Sequence, residues 1–214
     1  MSDYEYAPTD SIKMRGTPRG LMPHVTAFCE SVAAGQTPLY LQVTPLDGCL
    51  VNDCVENVRG RVQSEGGEAV LGWQIWEWYG VLIEAEFHMV WKSSDGELSD
   101  ITPKELPCDN ILFLPDPLLI YEDQQIKNVR KPLLDDQKVT DFVALADAKF
   151  KILNDGDRAK QHGAIILSDE EADLFQRVEM QMASCQLAIM HMEPSQNQPC
   201  RCGSGEKYMK CCGR

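Results

Sequence analysis

The chain has no run of about 18 consecutive apolar residues, the length a membrane-crossing helix needs, and it opens on no basic segment leading into an apolar one. The expectation is therefore a protein that is not inserted in a membrane and that resides in the cytoplasm. Cations are scarce. Twenty Lys and Arg stand against 33 Asp and Glu, a formal net charge of -13, so there is no surplus of positive charge to neutralise phosphates, and direct DNA binding is not expected. No internal repeat is present. What the chain does have is cysteine: nine thiols, an odd number, in a sequence without export signals. That combination points to metal binding or thiol chemistry before it points to disulfides.

At 214 residues the chain suits one main domain and a small appendage. Residues 1–20 lack periodicity and read as a flexible arm, 21–192 as an α+β body, 193–199 as a polar linker and 200–214 as a cysteine-rich knuckle. In the body, Val25, Phe28, Cys29 and Val32 have helical spacing, and a short strand spans 38–43. Asp53 stands three residues before Glu56, which suggests a capping box opening a helix with Cys54 at its first position. From Ala69 to Tyr121 the pattern reads as an antiparallel meander with strands over 69–76, 81–91, 97–102, 110–114 and 118–121. Two helices follow, one over 140–153 capped by Thr140 and one over 168–192 in which Ser168 and Glu171 form a capping box. On the second, Leu174, Val178, Met182, Cys185 and Ile189 form an apolar stripe that reads as core. The fold class expected is α+β: an antiparallel sheet meander with packed helices, a papain-like fold being one such arrangement, plus a small C-terminal zinc knuckle.

Cys200, Cys202, Cys211 and Cys212 form two pairs around the turn Gly203-Ser204-Gly205. Four thiolates suit tetrahedral zinc, and a closed set of four leaves no coordination position for a reacting water, so such a zinc is structural. So short a segment has no core of its own, and metal binding would supply its folding energy. These residues resemble the SEC-C motif, Cys-x-Cys-Gly-Ser-Gly followed by a basic stretch and Cys-Cys, best known from the C-terminus of the preprotein translocase ATPase. The resemblance implies Cys200, Cys202, Cys211 and Cys212 as zinc ligands. It also implies a docking knob for a protein or ribosomal partner. Glu206 and Met209 stand where that family usually carries lysine, although Arg201, Lys207, Lys210 and Arg214 still make the tip basic.

Cys54, His88 and Asp100 occur in the order nucleophile, base, orienter. A thiol at a helix N-terminus feels the positive end of the peptide dipoles, which favours its thiolate. Whether Asp100 reaches His88 depends on one hairpin. A two-residue loop at Asp95-Gly96 would place Asp100 opposite Trp91, on the far face. A three-residue loop, Ser94-Asp95-Gly96, would place it opposite Val90, diagonal to His88 and on its face. With the shorter loop Glu86 would be the orienter. Gln42 is a candidate oxyanion donor, and Cys49 is a competing nucleophile. Glu84, Glu86 and His88 share a strand face and are a weaker candidate metal set. Trp76 and Trp78 share a face and could stack on a substrate.

The body also resembles bacterial proteins of unknown function. The shared segments read here Cys54-Val-Glu-Asn57-Val58, Gly72-Trp73-Gln-Ile75-Trp76-Glu77-Trp78, Glu86-Phe-His88-Met-Val90-Trp91 and Leu98-Ser-Asp100-Ile-Thr-Pro103. The Cys, His, Asp order is similar to that of papain-like, NlpC-like and transglutaminase folds. It implies a cysteine hydrolase acting on an amide or isopeptide bond. The other reading is a non-enzymatic adaptor or binding protein with a structural zinc site.

Overall fold

Pro23 opens the first helix because its fixed φ and missing N–H both suit an opening turn. The helix buries Val25, Phe28 and Cys29 on one face. The computed structural model describes residues 4–5, 15–105, 108–161, 165–192, 194–202 and 204–214. In chain order it contains β1 (Tyr4–Glu5), α1 (Pro23–Val32), β2 (Leu39–Gln42), α2 (Cys54–Glu65), β3 (Glu68–Trp78), β4 (Leu82–Lys92), β5 (Leu98–Ser99), β6 (Asn110–Pro115), β7 (Val129–Pro132), α3 (Gln137–Leu153), β8 (Ile166–Leu167) and α4 (Asp169–His191). Most of the expected arm over 1–20 lies outside the described residues, as do Glu193 of the linker and Gly203 of the knuckle turn. The chain falls into two compact units. Residues 15–77 and 83–120 form a sheet unit; β1, residues 78–82 and residues 121–214 form a helical unit.

In the sheet unit the strand order is β2-β6-β3-β4-β5. Only β3, β4 and β5 run as the expected meander, because β6 returns to lie between β2 and β3, antiparallel to both. Gly72 permits that close approach: a Cβ there would stand 2.3 Å from the Leu114 carbonyl oxygen and 2.7 Å from the Phe113 ring. Leu41 pairs with Ile111, and Gln74 pairs with Phe113. Leu41, Val90, Ile111 and Phe113 then join in one buried cluster, each side chain contributing roughly 1.5–3 kcal/mol of burial. The expected strand over 118–121 does not form. The Asp116 carboxylate accepts from the Leu118 N–H at 3.1 Å and its carbonyl accepts from the Leu119 N–H, so the chain turns after β6 and leaves Leu118 exposed.

In the helical unit α3 packs on α4, with Lys149 paired to Glu179 at 2.8 Å. Asp136, and not Thr140, caps α3, accepting from the Lys138 N–H at 2.7 Å. The earlier start carries Val139 into a core with Trp78, Val81, Leu82 and Ile189, where the Phe142 ring meets Trp78 edge-on at 6.4 Å. The Ser168–Glu171 capping box of α4 is complete. The stripe of α4 is rotated slightly from the one expected: Phe175 is buried beside Leu153, Ile165, Leu167 and Ala172, while Leu174 is exposed.

Candidate thiol site and metal centre

The hairpin between β4 and β5 sets the geometry of the thiol site. Trp91 is the partner of Ser99 and Lys92 of Leu98, so the loop is Ser94-Asp95-Gly96, closed by a Ser93 N–H to Glu97 carbonyl bond at 2.9 Å. Gly96 takes φ +88°, the left-handed conformation this loop requires. Continuing the register puts Asp100 opposite Val90, on the face of His88. Asp100 is completely buried, and its Oδ1 lies 3.1 Å from His88 Nε2 and accepts from the Thr102 N–H at 3.1 Å.

Cys54 is the first residue of α2, half-buried, and close enough to the His88 ring to act on its protonation. The expected capping box is absent. Asp53 has φ −117° and ψ 49°, outside the extended region a cap needs, and its side chain makes no cap bond. The entry to α2 is fixed instead by Asn57, whose side chain accepts from the Leu50 N–H at 2.9 Å and donates to the Leu50 carbonyl at 2.7 Å.

His88 is 6 % exposed. Burial alone would lower its pKa, but the hydrogen bonds to Asp100 and Cys54, and the charges they can carry, outweigh it and raise the ring to about 9. Burial likewise opposes ionisation of Asp100, and the His88 hydrogen bond with the nearby His88 and Lys104 charges overcomes it, leaving the carboxyl below its usual range.

Two residues at this site were not singled out from sequence. Lys104 places Nζ 2.5 Å from Asp100 Oδ2, 3.3 Å from His88 Nε2 and 3.2 Å from Gln74 Oε1. Gln74 is 2 % exposed, and its Nε2 has no hydrogen-bond partner among the described residues. The spacing Asp100-x-x-x-Lys104 and a polar residue in the middle of the apolar strand β3 were the available signals.

Gln42 is elsewhere. It pairs with Asn110, so alternation turns it to the face opposite Leu41, Phe113 and Gln74, where it is exposed. Only its backbone carbonyl touches the site, accepting from the Asp100 N–H at 3.4 Å. As an amide on the face of His88, Gln74 stands where Gln42 was expected. Cys49 sits in a turn, its N–H bonded to the Leu46 carbonyl.

Glu84 and Glu86 do not join His88 as metal ligands: Arg15 pairs with Glu84 and approaches Glu86 at 3.9 Å. Trp76 donates to Glu86 and packs under Arg15, and Trp78 belongs to the helical core. The pair is thus engaged by the protein itself.

In the helical unit the sulfurs of Cys200, Cys202, Cys211 and Cys212 lie within 4.8 Å of one another. Sulfur separations of 3.4 Å for Cys202–Cys211 and 3.9 Å for Cys211–Cys212 bracket the edge of about 3.8 Å that follows from zinc–sulfur bonds of about 2.3 Å. Ser204 donates to the Cys211 sulfur at 3.3 Å. Bonds from Ser204 first, then from Cys200 and Cys211, hold Cys202 down to about 6, whereas bonds to Cys200, Cys202 and Cys211 push Cys212 up to about 12. Four thiolates this close repel, and a cation among them removes the conflict. The set can hold a metal ion, and its dimensions suit zinc.

The knuckle is also anchored. Arg201 donates to the carbonyls of Ile189 and Met192 at 2.8 and 2.9 Å, satisfying the orphan acceptors at the end of α4. The Pro199 carbonyl comes close enough to Gly80 that a Cβ there would stand 3.2 Å away. Arg201 is therefore spent on α4, and the exposed cations of the tip are Lys207, Lys210 and Arg214.

Among the described residues no helix is long and apolar enough to cross a membrane. No solved structure matches the chain. Residues 197–214 match the family model of the SEC-C motif, which contains all four clustered cysteines.

Proposed function

We propose that the protein is a cytoplasmic thiol enzyme for acyl transfer, a hydrolase of amide or isopeptide bonds, carrying a zinc-bound SEC-C knuckle that docks it on a protein or ribosomal partner. The observation that carries the enzymatic reading is a helix-start thiol beside a buried histidine whose Nε2 is paired with a buried carboxylate. With Nε2 engaged, Nδ1 is the nitrogen left to face Cys54. The thiol proton passes to His88 before attack, the Cys54 sulfur then adds to the acyl carbon as thiolate, and the His88 imidazolium gives a proton to the departing amine, leaving a thioester. Water, deprotonated by the same nitrogen, attacks the thioester; the carboxylic acid leaves and the thiol is regenerated. Asp100 keeps the other ring proton at Nε2 throughout.

Mapping iodoacetamide adducts over time tests this reading. Cys54 should label first, and Cys29, whose thiol burial pushes up to about 11, should label last. Equal rates at Cys54, Cys29 and Cys185 would remove the enzyme.

A non-enzymatic adaptor is the second reading, favoured by the SEC-C match with its four-sulfur cluster. Cys202→Ser should lose one zinc equivalent and co-sedimentation with ribosomes or a protein partner. A variant that keeps both removes the docking role.

A further inference from the structure

His88 Nε2 has room for one proton and two claimants. When the ring is charged, or neutral with the proton on Nε2, that N–H is paired with Asp100 Oδ1 at 3.1 Å. When Nε2 is bare it can only accept, and the available donor is the Lys104 ammonium at 3.3 Å. The second arrangement places the remaining ring proton on the nitrogen left for Cys54, which cannot then act as a base. Lys104 also lies on the side of the ring that becomes positive when Cys54 gives up its proton, and a cation there opposes that charge. Its other contacts, to Asp100 Oδ2 and Gln74 Oε1, keep it in place.

We infer that Lys104 is a positioning residue for the Cys54–His88 pair: by sharing the Asp100 carboxylate with His88 and anchoring itself on Gln74, it limits how firmly Asp100 holds the ring and so sets the protonation of the pair. The inference rests on the proposed thiol chemistry for its functional meaning, but its physical content is separate. Among the described residues, the charged or titratable groups directly on His88 are Cys54 from α2, Asp100 following β5 and Lys104 in the loop beyond it. Gln74 from β3 is neutral. Glu86, on the strand of His88 itself, is bonded to Trp76 and faces Arg15. No other cation shares Asp100 among the described ion pairs.

The experiment is a titration of the His88 ring by NMR in the full chain, in Lys104→Met, Lys104→Gln and Lys104→Arg, with thermal melts to establish folding. Removing the charge should raise the His88 midpoint by about one unit, a tenfold change in proton affinity. Cys54 alkylation at pH 6 should quicken in step, and Lys104→Arg should restore both toward wild type. Lys104→Gln keeps a polar end to the side chain should Lys104→Met fail to fold. Coincident midpoints in wild type and a folded, uncharged variant overturn the inference. The ring titration reads Lys104 even if Cys54 is inert, so a shifted midpoint with equal alkylation of Cys54, Cys29 and Cys185 would sink the enzyme while leaving the electrostatic role of Lys104 standing.

Discussion

Cys54 and Cys202 are both half-buried thiols, yet their surroundings have nothing else in common. Cys202 meets other sulfurs supplied by a contiguous stretch of chain, from Cys200 to Cys212. Cys54 meets one imidazole from β4, which in turn meets a carboxylate beyond β5 and an ammonium in the loop after it. The first site is assembled by local chain geometry and a metal. The second exists only when the sheet pairs in one register. A thiol among thiols invites a cation, and a thiol beside a buried base invites proton transfer.

The widest separation between the two sites should come from removing metal. A chelator, or Cys202→Ser, withdraws a binding energy of about 10–16 kcal/mol in comparable zinc peptides. Amide signals of residues 197–214 should collapse while the His88 ring signal stays in place. A simultaneous loss of the His88 signal would break the comparison, since it would make the two sites one cooperative structure.

Acid and base should act on the sites in different ways. Because the folded pKa of His88 is raised from 6.5 to about 9, its contribution, up to roughly 3 kcal/mol, is complete below about pH 6.5 and is lost as pH rises through 9. Asp100 is depressed, so its contribution is present above the ordinary carboxylate pKa and is lost as pH falls through the folded value. The sheet unit should be most stable between about pH 4 and 6.5. Denaturant midpoints at pH 6 and pH 9.5 check this, and His88→Gln should flatten the decline on the alkaline side. An unchanged slope in that variant would assign the decline to another group.

A smaller effect tests the thiol pairing itself. His88→Asn should slow Cys54 alkylation at pH 6 by about ten- to a hundredfold, because Asn cannot take up the thiol proton and the thiolate is the nucleophile. Alkylation of the buried Cys29 should not respond. Smallest is the replacement of Ser168 by Ala, which removes half of the α4 capping box and should cost about 1 kcal/mol. Thermal melts that lower the helical unit while leaving the His88 environment untouched would sharpen the contrast again.

Some of this was legible from residues alone because the physics is local. Ser168 with Glu171 specifies a cap within four residues, and it is complete. Ser94-Asp95-Gly96 allowed a three-residue loop as well as a two-residue one; the strand register took the longer, and that loop carried Asp100 to the face of His88. Other features depended on competition. Asp136 and Thr140 can both cap a helix; Asp136 takes the role in the α3 that carries Val139 into the core. Asp53 had the spacing of a capping box and not the backbone for it. Gln42 and Gln74 are both strand amides; the apolar neighbours of Gln74 marked it as unusual, but which face each amide takes depended on the strand pairing.

By itself the sequence determined the four clustered sulfurs and the helix that opens on Cys54, and it narrowed the turn before Asp100 to two loops, because each is fixed within a few residues by ligand chemistry, by apolar spacing or by allowed φ. Tertiary structure decided the rest. The insertion of β6 between β2 and β3 placed Gln42 on one face and Gln74 on the other, and burial of Asp100 drew Lys104 into the site. Both outcomes depend on which distant strands pair and on what a buried charge requires, so the spacing of Asp100 and Lys104 and the polar residue inside β3 acquire their meaning only in the paired sheet.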